Sequence, residues 1–120
     1  MNDLQMGAVE TKFAEIIWQH EPLTSSELAA LSLDALGWKK STTYTVLKRL
    51  CDKGIFQNNK GSVTSLISRQ EFYSRQSEHF IDENFGGSLP TFLAAFTSRK
   101  KLTKEDADAL RRMIAEHEEG

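Results

Sequence analysis

Basic and hydroxyl side chains are concentrated in one short part of the chain, and their chemistry suits a polyanion. Residues 36–61 carry six basic residues and one acid, a local net charge of +5, whereas the whole chain has a net charge of −2. The basic residues are Lys39, Lys40, Lys48, Arg49, Lys53 and Lys60, and the acid is Asp52. Because the positive charge is local, it predicts a polyanionic partner for this part of the surface.

A helix with two unlike faces accounts for most of this basic segment. One face predicts packing against a core, and at helical spacing it carries Thr43, Val46, Leu47 and Leu50. The opposite face is polar and carries Thr42, Thr45, Lys48, Arg49 and Asp52. We expect Ser41 to cap this helix and Gly54 to end it.

The amino end of the basic helix follows two lysines and has no acid in its first turn, where acids stabilise the helix dipole. Backbone amides, hydroxyls and lysines together suit a phosphate group, and the polar face suits the base edges of a DNA groove. We predict that Arg49 contacts guanine and that Lys60 meets the backbone beside the site. The predicted DNA-binding residues are Lys39, Lys40, Ser41, Thr42, Tyr44, Thr45, Lys48, Arg49 and Lys60.

Two further helices precede the basic helix. Apolar residues at helical spacing predict the first over residues 7–20. Thr24 or Ser25 caps the second, and Glu27 completes a capping box if Thr24 is the cap. Gly37 closes this second helix.

A β-hairpin follows the basic helix. Residues 55–58 and 63–67 suit strands, and residues 59–62 supply the turn, with a glycine free to take a positive φ. Three helices and a hairpin in this order predict a mainly α protein with a winged helix-turn-helix over residues 1–70.

Residues 71–120 have the pattern of a separate helical region, whose last helix begins at Thr103. Its apolar residues are too numerous for a few short helices to bury unaided, which predicts a dimerisation domain. The predicted dimerisation residues are Phe80, Leu89, Phe92, Leu93, Phe96, Leu110 and Ile114.

Composition excludes several other classes of protein. No apolar run approaches the roughly 20 residues that a membrane helix needs, so we expect no membrane insertion. Cys51 is the only cysteine, the three histidines have no ligand spacing, and no catalytic motif occurs. We therefore expect a cytoplasmic protein that is not an enzyme and has neither metal nor cofactor, and we predict that Cys51 packs at the edge of its helix.

Short motifs along most of the chain resemble those of the penicillinase repressors. Helix one carries Glu15-Ile16-Ile17-Trp18 and helix two carries Ser26-Glu27-Leu28. The basic helix carries the run from Thr45 to Leu50, followed by Lys53-Gly54. The C-terminal region carries Phe85-Gly86-Gly87-Ser88, then Phe96 and Leu102-Thr103. A winged helix of another kind would share the first elements but not this C-terminal order.

The resemblance implies a homodimeric transcriptional repressor that binds a palindromic operator in double-stranded DNA. In that family the winged helix binds each half of the operator and the C-terminal helices hold the dimer together. Relief of repression in such proteins is by proteolysis linked to a membrane-bound sensor, at a bond before a phenylalanine. The bond that matches here joins Ala95 and Phe96.

Two alternatives remain open from the residues. In one, the winged helix is a scaffold and the helical tail recruits another protein, which salt-dependent binding to duplex DNA would discriminate. In the other, the repressor is released by a ligand in the dimer interface instead of by proteolysis.

Overall fold

The structure is a computed structural model that describes residues 6–118. Within these residues the chain forms six helices and three short strands. In chain order they are α1 (Ala8–His20), β1 (Leu23–Thr24), α2 (Ser25–Leu36), α3 (Lys40–Asp52), β2 (Phe56–Asn59), β3 (Ser62–Ser65), α4 (Arg69–Phe85), α5 (Leu89–Thr97) and α6 (Lys104–His117). The predicted fold class, a mainly helical winged helix-turn-helix followed by a C-terminal helical region, is confirmed.

The predicted capping box at the start of α2 is present. Thr24 Oγ1 accepts a hydrogen bond from the Glu27 amide at 3.0 Å, and Glu27 Oε1 accepts one from the Thr24 amide at 2.9 Å. At the other end of the helix Gly37 adopts a left-handed conformation, with φ 68°. These local contacts fix both ends of α2 and therefore the point at which α3 begins.

The N-cap of the basic helix α3 lies two residues earlier in the chain than the sequence predicted. Its N-cap is Lys39, whose backbone is extended and whose carbonyl accepts from the Thr43 amide at 3.0 Å. Ser41 lies inside the helix, where its carbonyl accepts from the Thr45 hydroxyl at 2.9 Å. The prediction that Ser41 caps α3 was therefore wrong, whereas Gly54 follows the helix end as expected, with φ 80°.

The wing is a β-hairpin with a two-residue turn and an additional short strand paired at its side. Lys60 and Gly61 form the turn between β2 and β3 with φ values of 55° and 89°, the combination typical of a type I′ turn. The short strand β1, which the sequence did not predict, pairs antiparallel with β3, so the sheet order is β1-β3-β2. The turn at Lys60 therefore lies at the tip of an anchored wing.

The described chain divides into two compact units, Met1–His79 and Phe80–Gly120, which we call the N-terminal unit and the C-terminal unit. Helix α4 contributes to both, because it continues past His79 to Phe85. The division therefore lies within α4, later in the chain than the predicted boundary between residues 70 and 71.

The N-terminal unit closes around one apolar core. Its largest fully buried apolar side chains come from helices and strands alike and are Phe13, Phe56, Phe72, Ile17, Leu28, Leu50, Ile55 and Val63. Trp18 joins this core to the start of α4, since its ring lies 5.3 Å from Phe56 and 5.4 Å from Phe72, and its Nε1 donates to the Ile67 carbonyl at 3.0 Å. Trp38 packs on Phe13 at 5.1 Å.

The C-terminal unit has capped helices but a thin core. Ser88 caps α5 through the Thr91 amide, and Thr103 caps α6 through the Asp106 amide. Its aromatic residues form a continuous chain of ring contacts, from Phe80 and Phe85 through Phe92 to Phe96. None of residues 80–118 is fully buried.

Candidate nucleic-acid interface

The two faces of α3 divide as the sequence predicted. Thr43, Val46, Leu47 and Leu50 are buried in the N-terminal unit. Most of the predicted DNA-binding residues are exposed, namely Lys39, Lys40, Ser41, Thr42, Thr45, Lys48, Arg49 and Lys60, and Tyr44 is half-buried. The structure thus brings eight of the nine residues onto or beside the outer side of one helix and places Lys60 at the tip of the wing.

The amino end of α3 combines free positive charge with helix amides. Residues 40–43, which form the first turn, include no acid, and among the described residues no side chain accepts a hydrogen bond as a cap at Lys39. The Lys40 ammonium lies 5.7 Å from the centre of the Tyr44 ring, a cation–π contact that holds both side chains over the outer face. An anionic group at this end of the helix would meet the dipole and two lysines together.

The outer face of α3 also contains two ion pairs. Lys48 Nζ lies 3.1 Å from Asp52 Oδ2, one turn further along the same helix. Arg49 Nη1 lies 3.1 Å from Oε2 of Glu10, which belongs to α1. An exposed pair such as Lys48 and Asp52 contributes only about 0.2–1 kcal/mol, so Lys48 can exchange its partner for a stronger anion. No local pattern in the sequence predicts the Glu10 contact, since 39 positions separate the two residues.

A cleft of about 430 Å³ opens between the start of α2, the outer side of α3 and the first wing strand. Its lining residues are Ser25, Tyr44, Leu47, Lys48, Cys51 and Asn58. The Ser25 amide donates to the Gly61 carbonyl at 2.9 Å, and Asn58 Oδ1 accepts from the Gly61 amide at 2.9 Å. The first bond joins the start of α2 to the wing, and the second lies within the turn of the wing.

Sequence reasoning missed two polar residues of this cleft, Ser25 and Asn58. Each is ordinary in its local context, and only the pairing of the wing with the start of α2 brings them beside Tyr44 and Lys48. No local signal in the sequence predicts that pairing, because β1 is only two residues long.

Cys51 lines the floor of the cleft, at the edge of α3 as predicted, and is half-buried. Burial raises the pKa of its thiol, and the neighbouring Asp52 carboxylate raises that pKa further. At neutral pH the side chain is therefore a thiol, which is a poor nucleophile compared with a thiolate.

The predicted dimerisation residues all lie in the C-terminal unit, on α4, α5 and α6. Four of the seven are exposed, namely Phe80, Leu89, Phe96 and Ile114, with exposed fractions between 44% and 62%. Phe92, Leu93 and Leu110 are half-buried within the unit. These exposed side chains form an apolar surface on the C-terminal unit that the unit's own helices do not cover.

The bond between Ala95 and Phe96, the predicted cleavage site, lies inside α5. The Ala95 carbonyl accepts from the Ser98 hydroxyl at 2.7 Å, and the Phe96 carbonyl accepts from the Lys100 amide at 3.2 Å. Both side chains are exposed. A protease that binds extended backbone would need this turn of helix to open first.

Within residues 6–118 no three histidine, cysteine, aspartate or glutamate side chains come together in a group that could hold a metal ion. A search of the same residues for a helix long and apolar enough to cross a membrane finds none.

Three helices, a hairpin wing and an exposed basic helix face define the chain as a winged-helix protein of the DNA-binding class. The sequence model of the penicillinase repressor family matches residues 6–116, and the chain belongs to this family. The penicillinase repressor of Bacillus licheniformis is 25% identical to it over 117 residues, which cover 94% of this chain and 91% of that protein. The predicted resemblance is confirmed, and membership of this family indicates a regulatory protein, a transcriptional repressor.

Proposed function

We propose that this protein represses transcription by binding a palindromic DNA operator as a homodimer. The observation that carries the proposal is the exposed polar face of α3, where basic side chains lie beside an open cleft and a lysine-tipped wing. An operator partner also implies that the protein works in the cytoplasm, in contact with the DNA that it regulates.

Each element of the N-terminal unit has a separate role in docking. Helix α3 enters the major groove, with Arg49 toward a guanine and Thr45 beside it. The amides at the start of α3, with Lys39 and Lys40, bind one phosphate, and Lys60 binds the backbone beside the site. The cleft next to α3 receives the sugar-phosphate chain, which adds Ser25 and Asn58 to the contacts.

The C-terminal unit supplies the second half of the proposal. Its exposed apolar side chains pack against the same surface of a second copy, as in an isologous two-fold interface. Two copies present two α3 helices, which accounts for a palindromic site with one half for each chain.

Cleavage between Ala95 and Phe96 by a sensor-linked protease relieves repression in this proposal. The support is the family resemblance together with the exposure of both residues on α5. Cleavage removes Phe96, Leu110 and Ile114 from the dimer surface and leaves the N-terminal unit whole. Release by a small ligand in the dimer interface is the competing mechanism.

The proposed function is tested by selecting bound duplexes from random DNA with the purified full-length chain. We expect a palindrome with half-site centres about one helical turn apart, about 10 base pairs, or a multiple of it. Affinity for that sequence falls as salt concentration rises, because bound lysines and arginines displace counterions. Absence of any enriched sequence and of salt-dependent duplex binding would reject the repressor and favour a protein-interaction module.

The mode of release is tested separately, on the operator complex. Extract from cells exposed to a candidate inducer is added to the complex, and the released protein is measured by mass spectrometry. Proteolysis predicts a fragment that ends at Ala95, whereas a ligand-released repressor leaves the DNA with its full mass.

A further inference from the structure

The Glu10 carboxylate is held in place next to Arg49, the residue predicted to contact guanine. Glu10 lies in the first turn of α1, and its Oε1 also accepts a hydrogen bond from the Gly7 amide at 3.3 Å. Helix α1 is anchored behind it by Phe13, Ala14 and Ile17, all with no exposed surface. Glu10 itself is only 22% exposed, whereas Arg49 is 53% exposed. A largely buried acceptor therefore holds a solvent-facing donor.

We propose that Glu10 is a positioning residue for Arg49 and that it sets the sequence specificity of the repressor without touching DNA. This inference rests on the proposed function. The guanidinium group has five donors in a planar fork. One nitrogen, Nη1, is engaged by Glu10, which orients the plane of the fork and leaves donors for the acceptor pair O6 and N7 of guanine.

The same carboxylate acts on non-specific binding in the opposite direction. Non-specific binding comes almost entirely from phosphate contacts, and a free arginine next to the backbone strengthens it. The negative charge of Glu10 offsets that attraction and holds Arg49 away from neighbouring phosphates. Glu10 thus favours operator binding over binding to other DNA in two ways. It orients Arg49 toward guanine, and it weakens the contacts of Arg49 with phosphates.

The test compares Glu10→Gln with the wild type in full-length protein, using the selected operator and a scrambled duplex of equal length. Glutamine keeps the shape of the side chain and the acceptor for the Gly7 amide, so the fold is retained. We expect operator affinity to fall and affinity for scrambled DNA to rise about threefold, with a specificity ratio lower by about tenfold. The salt slope for scrambled DNA becomes steeper by about 0.9 for each chain of the dimer.

Glu15→Gln is the matched control. Glu15 also lies on α1, is 25% exposed and forms an ion pair with an arginine at 2.7 Å, but that arginine is Arg69 of α4. The substitution removes the same charge from the same helix and should leave the specificity ratio unchanged. If Glu15→Gln and Glu10→Gln had equal effects, net charge alone would account for the result and the positioning role would be rejected.

A second comparison separates positioning from a structural role. In an Arg49→Ala background, Glu10→Gln should leave the specificity ratio unchanged, because the residue through which it acts is absent. A structural role predicts instead that Glu10→Gln lowers both affinities in either background, together with thermal stability, and that outcome overturns the inference. Wild-type protein without any preference for an operator would reject the proposed function itself, whereas a preference that Glu10→Gln leaves intact would reject only this inference.

Discussion

The N-terminal and C-terminal units contain similar apolar side chains but bury them to very different extents. Phe13, Phe56 and Phe72 of the N-terminal unit are at most 1% exposed, whereas Phe80 and Phe96 of the C-terminal unit are 49% and 44% exposed. The N-terminal unit packs helices against a small sheet around one core, whereas residues 80–118 of the C-terminal unit form helices and no strand. A few short helices bury too little of their own surface to form a closed core, which supports the proposed packing against a second copy.

The largest expected effect comes from a substitution in the buried core of the N-terminal unit. Phe56→Ala removes a fully buried ring that contacts Trp18, and it should lower the free energy of unfolding of the N-terminal unit by about 3–5 kcal/mol. Urea denaturation measures the loss. Phe96→Ala deletes the same atoms from an exposed position and should leave the stability of that unit unchanged. Equal losses from both substitutions would contradict the division into a closed and an open unit.

The next effect concerns the exposed apolar surface of the C-terminal unit. Ile114 is 62% exposed, and a buried charge at this position in a dimer is costly. Ile114→Glu should weaken dimerisation by about 2 kcal/mol, which is about 30-fold in the dissociation constant. Sedimentation equilibrium measures the change. Leu33→Glu is the control, because Leu33 is 61% exposed on α2 of the other unit; if it dissociated the dimer equally, the interface would lie elsewhere.

A smaller effect separates base reading from backbone contact within the N-terminal unit. Arg49→Ala should weaken operator binding by about 1–3 kcal/mol and relax the preference at one base pair. Lys60→Ala should weaken all sequences alike and reduce the salt slope by about 0.9 for each half-site. Both are read from binding isotherms at several salt concentrations. Lys104→Ala removes an equal charge from the C-terminal unit, and an equal change of slope there would disprove the docking role of the wing.

The smallest expected effects come from removing one helix cap in each unit. Thr24→Ala should cost about 1 kcal/mol and destabilise the whole N-terminal unit, whereas Thr103→Ala should only fray the start of α6. Hydrogen exchange measured by NMR distinguishes global from local loss of protection. Uniform loss of protection from Thr103→Ala would show that the C-terminal unit is as cooperative as the N-terminal unit.

The capping box at Thr24 also has a pH dependence. The hydrogen bond from the Thr24 amide, followed by that from its side chain, lowers the pKa of Glu27 below its ordinary value. The stability contributed by the ionised carboxylate is therefore present above that ordinary pKa, and it is lost as the pH falls through the lowered one. Thr24→Ala removes the side-chain contribution, so the loss of stability in a pH titration should be smaller and should be complete at a higher pH.

Features fixed by neighbouring residues were predictable from the sequence. The Thr24 and Glu27 capping box, the end of α3 near Gly54 and the cap of α6 at Thr103 each depend on a few adjacent positions. The cap of α3 was placed two residues too late, because Ser41 is the better capping residue by type. The extended backbone changes to helix at Lys39 instead, without a side-chain cap.

Features that join distant parts of the chain were not predictable in this way. The strand β1 exists only because Leu23 meets Val63, and the cleft needs the start of α2 beside the wing. The pair between Glu10 and Arg49 likewise depends on how α1 lies against α3. In each case the residue types are compatible with many contact partners, and the packing of the core determines which contact forms.

Both tryptophans of the chain belong to the N-terminal unit, where Trp18 lies among Phe56, Phe72 and Tyr73, and Trp38 lies on Phe13. The C-terminal unit contains phenylalanine as its only aromatic residue type. Native indole emission is therefore an optical signal of one half of the molecule, while far-ultraviolet circular dichroism adds up the helices of both. Thermal melting curves from the two signals coincide only if the two units unfold together. An offset between the curves reports the separate unfolding of the C-terminal unit without a dye or a mutation.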